Sequence, residues 1–457
     1  MPDKLNEMLK TPRRVLIGIL VVSVLLRIFT GVVFYGNEIQ ALPGTFDEVS
    51  YHNLALRVLD GHGFSFGERW WPGTAANEPT AHWSYLYTGY LVAIYGIFGP
   101  SPLLARILQA IIVGIVMPWL LYRLSFRIFA PSARGEGMFS YRPEVERAQR
   151  IALLAAAIGA VYIYFFYYTA ALITEGFYIS GILWVFDTAV AITQSSKVRT
   201  RQWAMLGLAL GLTILLRQLF LLFMPFLLLW IWWAKRPSIT RFFLPVAMVI
   251  LMIVPWTIRN QRAFDQIVPL NTNSGFAFFW GNHPRYGTQF IPILPSGEYY
   301  RMIPVELQAQ GLNEAEMDSA LLGEALEIIL ADPGRYILLS LSRIPTYFMF
   351  WPSGESSMVS NISRVASFGL FLPFMLYGLF LTLRKSFGSW IERLASPLTL
   401  LYLFMLVYTG IHILTWTLIR YRIPVDLILV IFAGYGLLDL AERFLFRRGS
   451  ARVTAVS

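Results

Sequence analysis

The 457-residue chain has no cysteine, so disulfides, thiolate metal centres and a cysteine nucleophile are excluded. Charge is scarce as well. Asp, Glu, Lys and Arg make up 14% of the residues, against about 25% in an ordinary soluble domain. With 56% hydrophobic residues gathered in long runs, that shortage places the chain among membrane proteins. No low-complexity tract, clear internal repeat or strong soluble-domain boundary breaks the pattern. The net charge is +10, but the basic residues sit in short clusters between apolar runs. A nucleic-acid-binding module would gather them on one soluble face, so no nucleic-acid partner is expected. A positive-inside membrane bias accounts for them instead.

A spanning helix needs about 20 apolar residues. The runs 13–35, 101–129, 151–170, 172–193, 241–258, 365–383, 398–418 and 423–442 meet that length. The run 203–234 is too long for one span, and Arg217-Gln218 divides it into two helices. Two shorter runs, 83–99 and 336–351, are assigned by charge. If neither crosses, the clusters around Arg123 and Arg127, Lys197 and Arg201, Lys235 and Arg236, Arg384 and Lys385, and Arg443 and Arg447 all share the cytoplasmic side. Both runs are therefore expected to be interfacial or re-entrant. Lys4, Lys10, Arg13 and Arg14 resemble a signal-peptide start, but the apolar run continues to about Tyr35 without a cleavage site. The expectation is an all-α polytopic membrane protein of about ten, and up to twelve, transmembrane helices with both termini in the cytoplasm. Its parts are an N-terminal module 1–258, an extracytoplasmic region 259–335 and a C-terminal module 336–457.

Two polar, acid-containing segments fall outside, 36–82 and 259–335. In the first, Asp47, Ser50, Asn53, Arg57 and Asp60 recur at three- and four-residue steps, opposite Tyr51, Leu54, Ala55 and Val58. This predicts an amphipathic helix on the membrane surface, ended by Gly61. Thr45-x-x-Glu48 fits a capping box, which gives Glu48 a structural role as good as a chemical one. Asp47 heads the polar stripe and is the stronger candidate for chemistry. Glu175 lies where a span emerges, a costly place for an acid and so a functional candidate, or else a helix cap. In the second segment Asn271, Asn273, Asn282 and Trp280 are polar and aromatic candidates for binding, with turn chemistry around Gly275, Gly281 and Pro284 as the alternative. Asn313-x-x-Glu316 and Asp332-Pro333-Gly334 mark the start and stop of a structural helix. His52, His82 and His283 match no metal-ligand spacing, and no metal is assigned.

A family resemblance joins these pieces. Phe46-Asp47-Glu48 with Tyr51, Ala55 and Gly61-His62-Gly63 resembles the first external loop of multi-spanning glycosyltransferases with the GT-C fold. That class includes bacterial protein O-mannosyltransferases, lipid A aminoarabinose transferases and RgtA-like enzymes. Glu78-Pro79, Tyr85-Leu86-Tyr87, Leu104-Ala105-Arg106 with Gln109, Thr174-Glu175-Gly176 and Leu216-Arg217 follow in the family's order. Pro255-Trp256-Thr257-Ile258-Arg259-Asn260, Pro269-Leu270-Asn271 and Arg420-Tyr421-Arg422-Ile423-Pro424 complete a likeness running from about residue 13 to 442. Gln218 stands where the family has proline, and Trp83-Ser84-Tyr85-Leu86 replaces Pro-Pro-Leu-Tyr. The lysine of aminoarabinose transferases has no counterpart, which argues against aminoarabinose as the sugar.

The resemblance implies external juxtamembrane helices and a modest second external loop domain. It also implies a polyprenyl-phosphate sugar donor, an extracytoplasmic acceptor (protein, lipid or cell-envelope glycan) and a place in the bacterial inner membrane. Inverting displacement needs a carboxylate base and cations for the leaving phosphate. Asp47 and Glu48 are the catalytic candidates. Arg420, Arg422, Arg217 and Arg259 are candidates for the lipid phosphate, and Tyr51, His82, Glu175, Asn271 and Asn282 for the substrate. No cofactor is assigned, although the adjacent Asp47-Glu48 pair leaves room for a divalent metal. Competing readings are a transporter or lipid flippase, which would show paired halves and mid-membrane charges, and an O-antigen ligase or polymerase.

Overall fold

The computed structural model describes residues 12–41, 46–70, 73–130, 143–295, 297–354 and 356–454, with side chains as far as Phe444. Thr45, and with it the expected capping box at Glu48, lies outside the described residues, as do Lys4, Lys10 and the segment around Arg134. The described residues are almost entirely helical, and among them the only β pairing is an isolated bridge between Ser65 and Pro79.

Seven helices are long and apolar enough to cross a membrane. They are α1 (Pro12–Tyr35), α4 (Pro102–Phe129), α7 (Glu175–Gln194), α10 (Ile239–Phe264), α14 (Met358–Leu383), α15 (Pro397–Leu414) and α16 (Ile419–Phe444). The pair α5 (Pro143–Val161) and α6 (Ile163–Ala170), bent by 49° at their junction, meets the same length and apolarity only when taken together. Two shorter apolar helices, α8 (Thr200–Leu216) and α9 (Phe220–Lys235), meet at Arg217-Gln218, the division expected from those two polar residues. The run 151–170, expected as one helix, is instead broken at Tyr162. The groups freed by the break find partners: Tyr164 N–H donates to Ser367 Oγ at 3.3 Å, and Ala160 O accepts from the buried Arg27 at 3.4 Å.

Close backbone approach explains part of the packing. A Cβ on Gly378 would lie 1.9 Å from Phe432 O, and one on Gly436 would lie 2.7 Å from Phe374 O. Only glycine lets α14 and α16 meet this closely, the small-residue packing typical of membrane helices. The run 83–99 forms α3 (Tyr85–Phe98), started by Ser84, whose Oγ accepts from Tyr87 N–H. The run 336–351 belongs to α13 (Pro333–Tyr347), which carries exposed Ile337, Leu338, Leu341 and Ile344 on one side and buried Leu339 and Arg343 on the other.

A second, smaller core forms where α11 (Ser274–Asn282) packs on α12 (Glu314–Ala331), around Phe276, Trp280, Leu321 and Ala325. The expected capping box is present, with Asn313 Oδ1 accepting from Glu316 N–H and Glu316 Oε2 from Asn313 N–H. Gly275 is required there, because a Cβ would fall 1.7 Å from Asp318 O. Glu314 joins this unit to the first loop. Its carboxylate accepts from the hydroxyls of Thr74, Thr80 and Thr272 and from Ala81 N–H, and it is 3% exposed.

Candidate functional site

The amphipathic helix expected after the first span is α2 (Asp47–Leu59). Leu54 and Ala55 are fully buried on its inner side, and two acids in its first turn favour the helix dipole. Its first two residues then part company, because successive helical residues point about 100° apart.

Asp47 faces the polar side and meets Arg420, whose Nη1 donates to Asp47 Oδ2 at 2.6 Å. Arg420 comes from the 3₁₀ turn that opens α16. It also approaches Glu175 Oε1, at 3.5 Å. Glu175, the first residue of α7, takes a 2.5 Å hydrogen bond from Arg217 Nη2 on the same oxygen. Arg217 Nε donates to Thr174 Oγ1 at 2.9 Å, and its guanidinium lies against the rings of Tyr178 and Tyr421. The four side chains form an alternating chain, Asp47, Arg420, Glu175, Arg217. Asp47 is its most accessible member at 29% exposed, while Glu175 is nearly sealed at 4%.

Glu48 turns the other way, into the protein. It is fully buried in an ion pair with Arg106 and accepts from Leu172 N–H at 3.1 Å and Gln40 N–H at 3.4 Å. Burial pushes its carboxyl above the usual range, and Arg106 and the two amides pull it back. No oxygen of Glu48 is exposed, and its partners tie the start of α2 to Arg106 and to the stretch before α7. Among the described residues no group of three or more metal-ligating side chains occurs. Glu48 and Gln109 together fix the non-helical stretch that delivers Glu175. Gln109 Nε2 donates to Thr169 O at 2.6 Å and Ala171 O at 2.8 Å.

Other expected residues occupy the supports. Tyr51 is buried with its ring on Tyr87, and its hydroxyl accepts from Ser84 N–H at 3.3 Å. Ser84 Oγ in turn donates to Leu215 O at 2.8 Å, just before Arg217. Asn271 Nδ2 donates to Ala81 O and Trp83 O, both at 2.9 Å, and Gln218 binds both Asn271 and Asn273. His82 places a ring nitrogen 3.2 Å from Thr272 O, and burial holds its imidazole below the usual range. The residues around Arg217 are thus tied to both loops.

Three expected residues lie elsewhere. Arg422 is fully buried behind Arg420, bonded to Asp426 at 2.8 Å and Tyr347 O at 2.7 Å, with Phe368 under its guanidinium. Arg259 donates to Thr80 O at 2.9 Å and Phe64 O at 3.1 Å, which ties α10 to the first loop. Asn282 is buried against Arg343 at 2.9 Å. Arg259 and Asn282 meet protein groups, and Arg422 does so through Nε and Nη1, while its buried Nη2 has no partner among the described residues. Glu314 and Arg106 were not singled out by sequence reasoning. The Leu104-Ala105-Arg106 match was the one signal that touched Arg106.

No protein-family model matches the chain, and no curated protein matches it in sequence. Solved structures do. The apo oligosaccharyltransferase of Archaeoglobus fulgidus superposes with a TM-score of 0.57 at 14% identity, covering 96% of this chain and 52% of that one. The archaeal oligosaccharyltransferase AglB of the same organism, in complex with an inhibitory peptide and a dolichol-phosphate, gives 0.55 at 13% identity, with 96% and 52% covered. ArnT from Cupriavidus metallidurans bound to undecaprenyl phosphate gives 0.46 at 13% identity, with 96% and 63% covered. The chain spans about half the length of the oligosaccharyltransferase. What is shared is the fold: the chain is a multi-pass membrane protein with the GT-C fold.

Proposed function

We propose that this GT-C chain is a membrane glycosyltransferase that moves a sugar from a polyprenyl-phosphate carrier to an acceptor outside the cytoplasm, with inversion at the anomeric carbon. The observation that carries the reading is the Asp47–Arg420–Glu175–Arg217 chain, which sets an accessible carboxylate beside two arginines. The donor phosphate takes Arg420 from Asp47 and shares Arg217, because a planar guanidinium binds phosphate oxygens in pairs. Arg420 Nε has no partner among the described residues and remains a donor to offer. Released from its ion pair, Asp47 accepts the proton of the acceptor hydroxyl. The acceptor oxygen bonds to the anomeric carbon as its bond to phosphate oxygen breaks, and the phosphate leaves with the electron pair, held by the two arginines. Glu175 keeps Arg217 and Arg420 aimed at one point.

In this reading the bent α5–α6 pair, α8 and α9 also cross the membrane, giving ten spans, and the end bearing Asp47 faces away from the cytoplasm of a bacterial inner membrane. The dolichol-phosphate bound by the archaeal neighbour supports a polyprenyl-phosphate carrier.

The test is transfer in proteoliposomes supplied with radiolabelled polyprenyl-phosphate sugars and cell-envelope acceptors. Transfer with inverted anomeric configuration supports the proposal. Lipid scrambling or solute flux without transfer from any donor overturns it.

A further inference from the structure

Beyond Asp47, the polar stripe of α2 lines a second feature that the mechanism does not use. An open groove of about 480 Å³ lies beside Asn53, Arg57 and Asp60, with Phe66, Glu68 and Trp70 completing its lining. Its walls are fixed. Arg57 donates to Ser65 Oγ at 3.1 Å and Asn77 Oδ1 at 2.9 Å. Trp70 stacks on Phe66, with centroids 5.4 Å apart and an interplanar angle of 21°, and donates from Nε1 to Ser50 Oγ at 2.7 Å. Ser50 stands one turn from Asp47, so the groove and the ion-pair chain share one helix face. At about 1.5 Å per residue, Asn53 and Asp60 lie about 9 and 20 Å along α2 from Asp47.

The chemistry of the lining narrows the occupant. Half-buried Asn53 and exposed Asp60 and Glu68 line this groove beside a packed aromatic pair, and among the described residues no protein group pairs with their side chains. An amide and two carboxylates beside an immobile indole match a ligand with several hydroxyls on one edge and an apolar face on the other. That is a sugar ring, whose hydroxyls would donate to these oxygens in place of water. An anionic ligand would meet two carboxylates against one arginine, and an apolar one would strip water from all three polar groups without replacing it.

We propose that this groove binds a neutral saccharide, the glycan portion of the acceptor, and holds its terminal hydroxyl toward Asp47. The inference rests on the transferase reading for the word acceptor, but the binding itself does not.

Calorimetric titration of the purified full chain with maltotetraose, cellotetraose, mannotetraose and chitotetraose tests it without donor or turnover. At least one should bind in the millimolar range or tighter. Asn53→Ala and Glu68→Ala, which remove no internal hydrogen bond, should each weaken binding about 10-fold. Trp70→Ala should abolish it, and Trp70→Phe, which keeps a ring, should restore part of it. No binding by any tetrasaccharide, binding indifferent to all four substitutions, or occupation by a lysine-rich peptide instead would overturn the proposal. Saccharide binding that depends on Trp70 in a protein that transfers no sugar would leave the groove standing and remove the transferase reading. Transfer without such binding would do the reverse.

Discussion

Asp47 and Arg420 are 373 positions apart in the chain and are joined by a 2.6 Å hydrogen bond between carboxylate and guanidinium. The contact closes the two ends of the fold over one site: α2 follows the first span, and Arg420 opens the last. Asp47 is 29% exposed and Arg420 10%, and in the transferase reading a donor phosphate competes with Asp47 for Arg420.

Donor affinity follows from that arrangement. Arg217→Ala or Arg420→Ala should weaken binding of undecaprenyl phosphate about 10- to 100-fold, the loss expected when a charge-assisted contact worth about 1.5–3 kcal/mol is removed. Arg422→Lys should leave that affinity within about 2-fold, since Arg422 meets Asp426 and a backbone carbonyl instead. Tritiated lipid binding to the detergent-solubilised protein measures both.

Glu48 should behave as a structural residue. Removing one partner of a buried ion pair leaves the other charge uncompensated, at a cost of about 3–5 kcal/mol. Glu48→Ala and Arg106→Ala should both lower the thermal midpoint sharply, whereas Asp47→Asn should shift it little. Differential scanning fluorimetry distinguishes the two neighbours.

Glu314 predicts a loss of order between two loops. Glu314→Ala leaves three threonine hydroxyls and Ala81 N–H without their acceptor. At about 1–3 kcal/mol for each group stranded, the contact between 74–81 and 272–314 should fail. Limited proteolysis should then cut within those segments while the membrane bundle stays intact.

Asp318 gives a pH dependence with a definite sign. Burial raises its carboxyl to about 6 from an ordinary 3.8, against the pull of the Phe276 and Gly275 amides. Between about pH 4 and 6 the folded state therefore holds a proton that the unfolded state has released. The contribution of this group to stability is greatest below that window, declines as pH rises through it by on the order of 2 kcal/mol, and is level above it. Asp318→Asn should flatten the dependence, read as hydrogen exchange of α11 against pH.

How far the sequence revealed this molecule depended on whether a signal was local. The turn at Arg217-Gln218, the α2 stripe and the Asn313 cap are set by neighbours in the chain, and each was legible. The break at Tyr162 was hidden, because its freed groups are satisfied by Ser367 and Arg27, far away in sequence. Glu48 and Glu314 were ambiguous or silent for the same reason: their partners are Arg106, Leu172 and three threonines brought in by the fold. Arg420 and Arg422 look alike in sequence, and only the 3₁₀ turn that opens α16 sends one to the site and the other into the core.

The most direct measurement is single-turnover sugar transfer by Asp47→Asn in proteoliposomes already saturated with a donor that the parent uses. General-base loss should slow transfer by about 10²–10⁴-fold while donor affinity stays within about 3-fold of the parent. Transfer at the parental rate would contradict the account, whatever the remaining residues do.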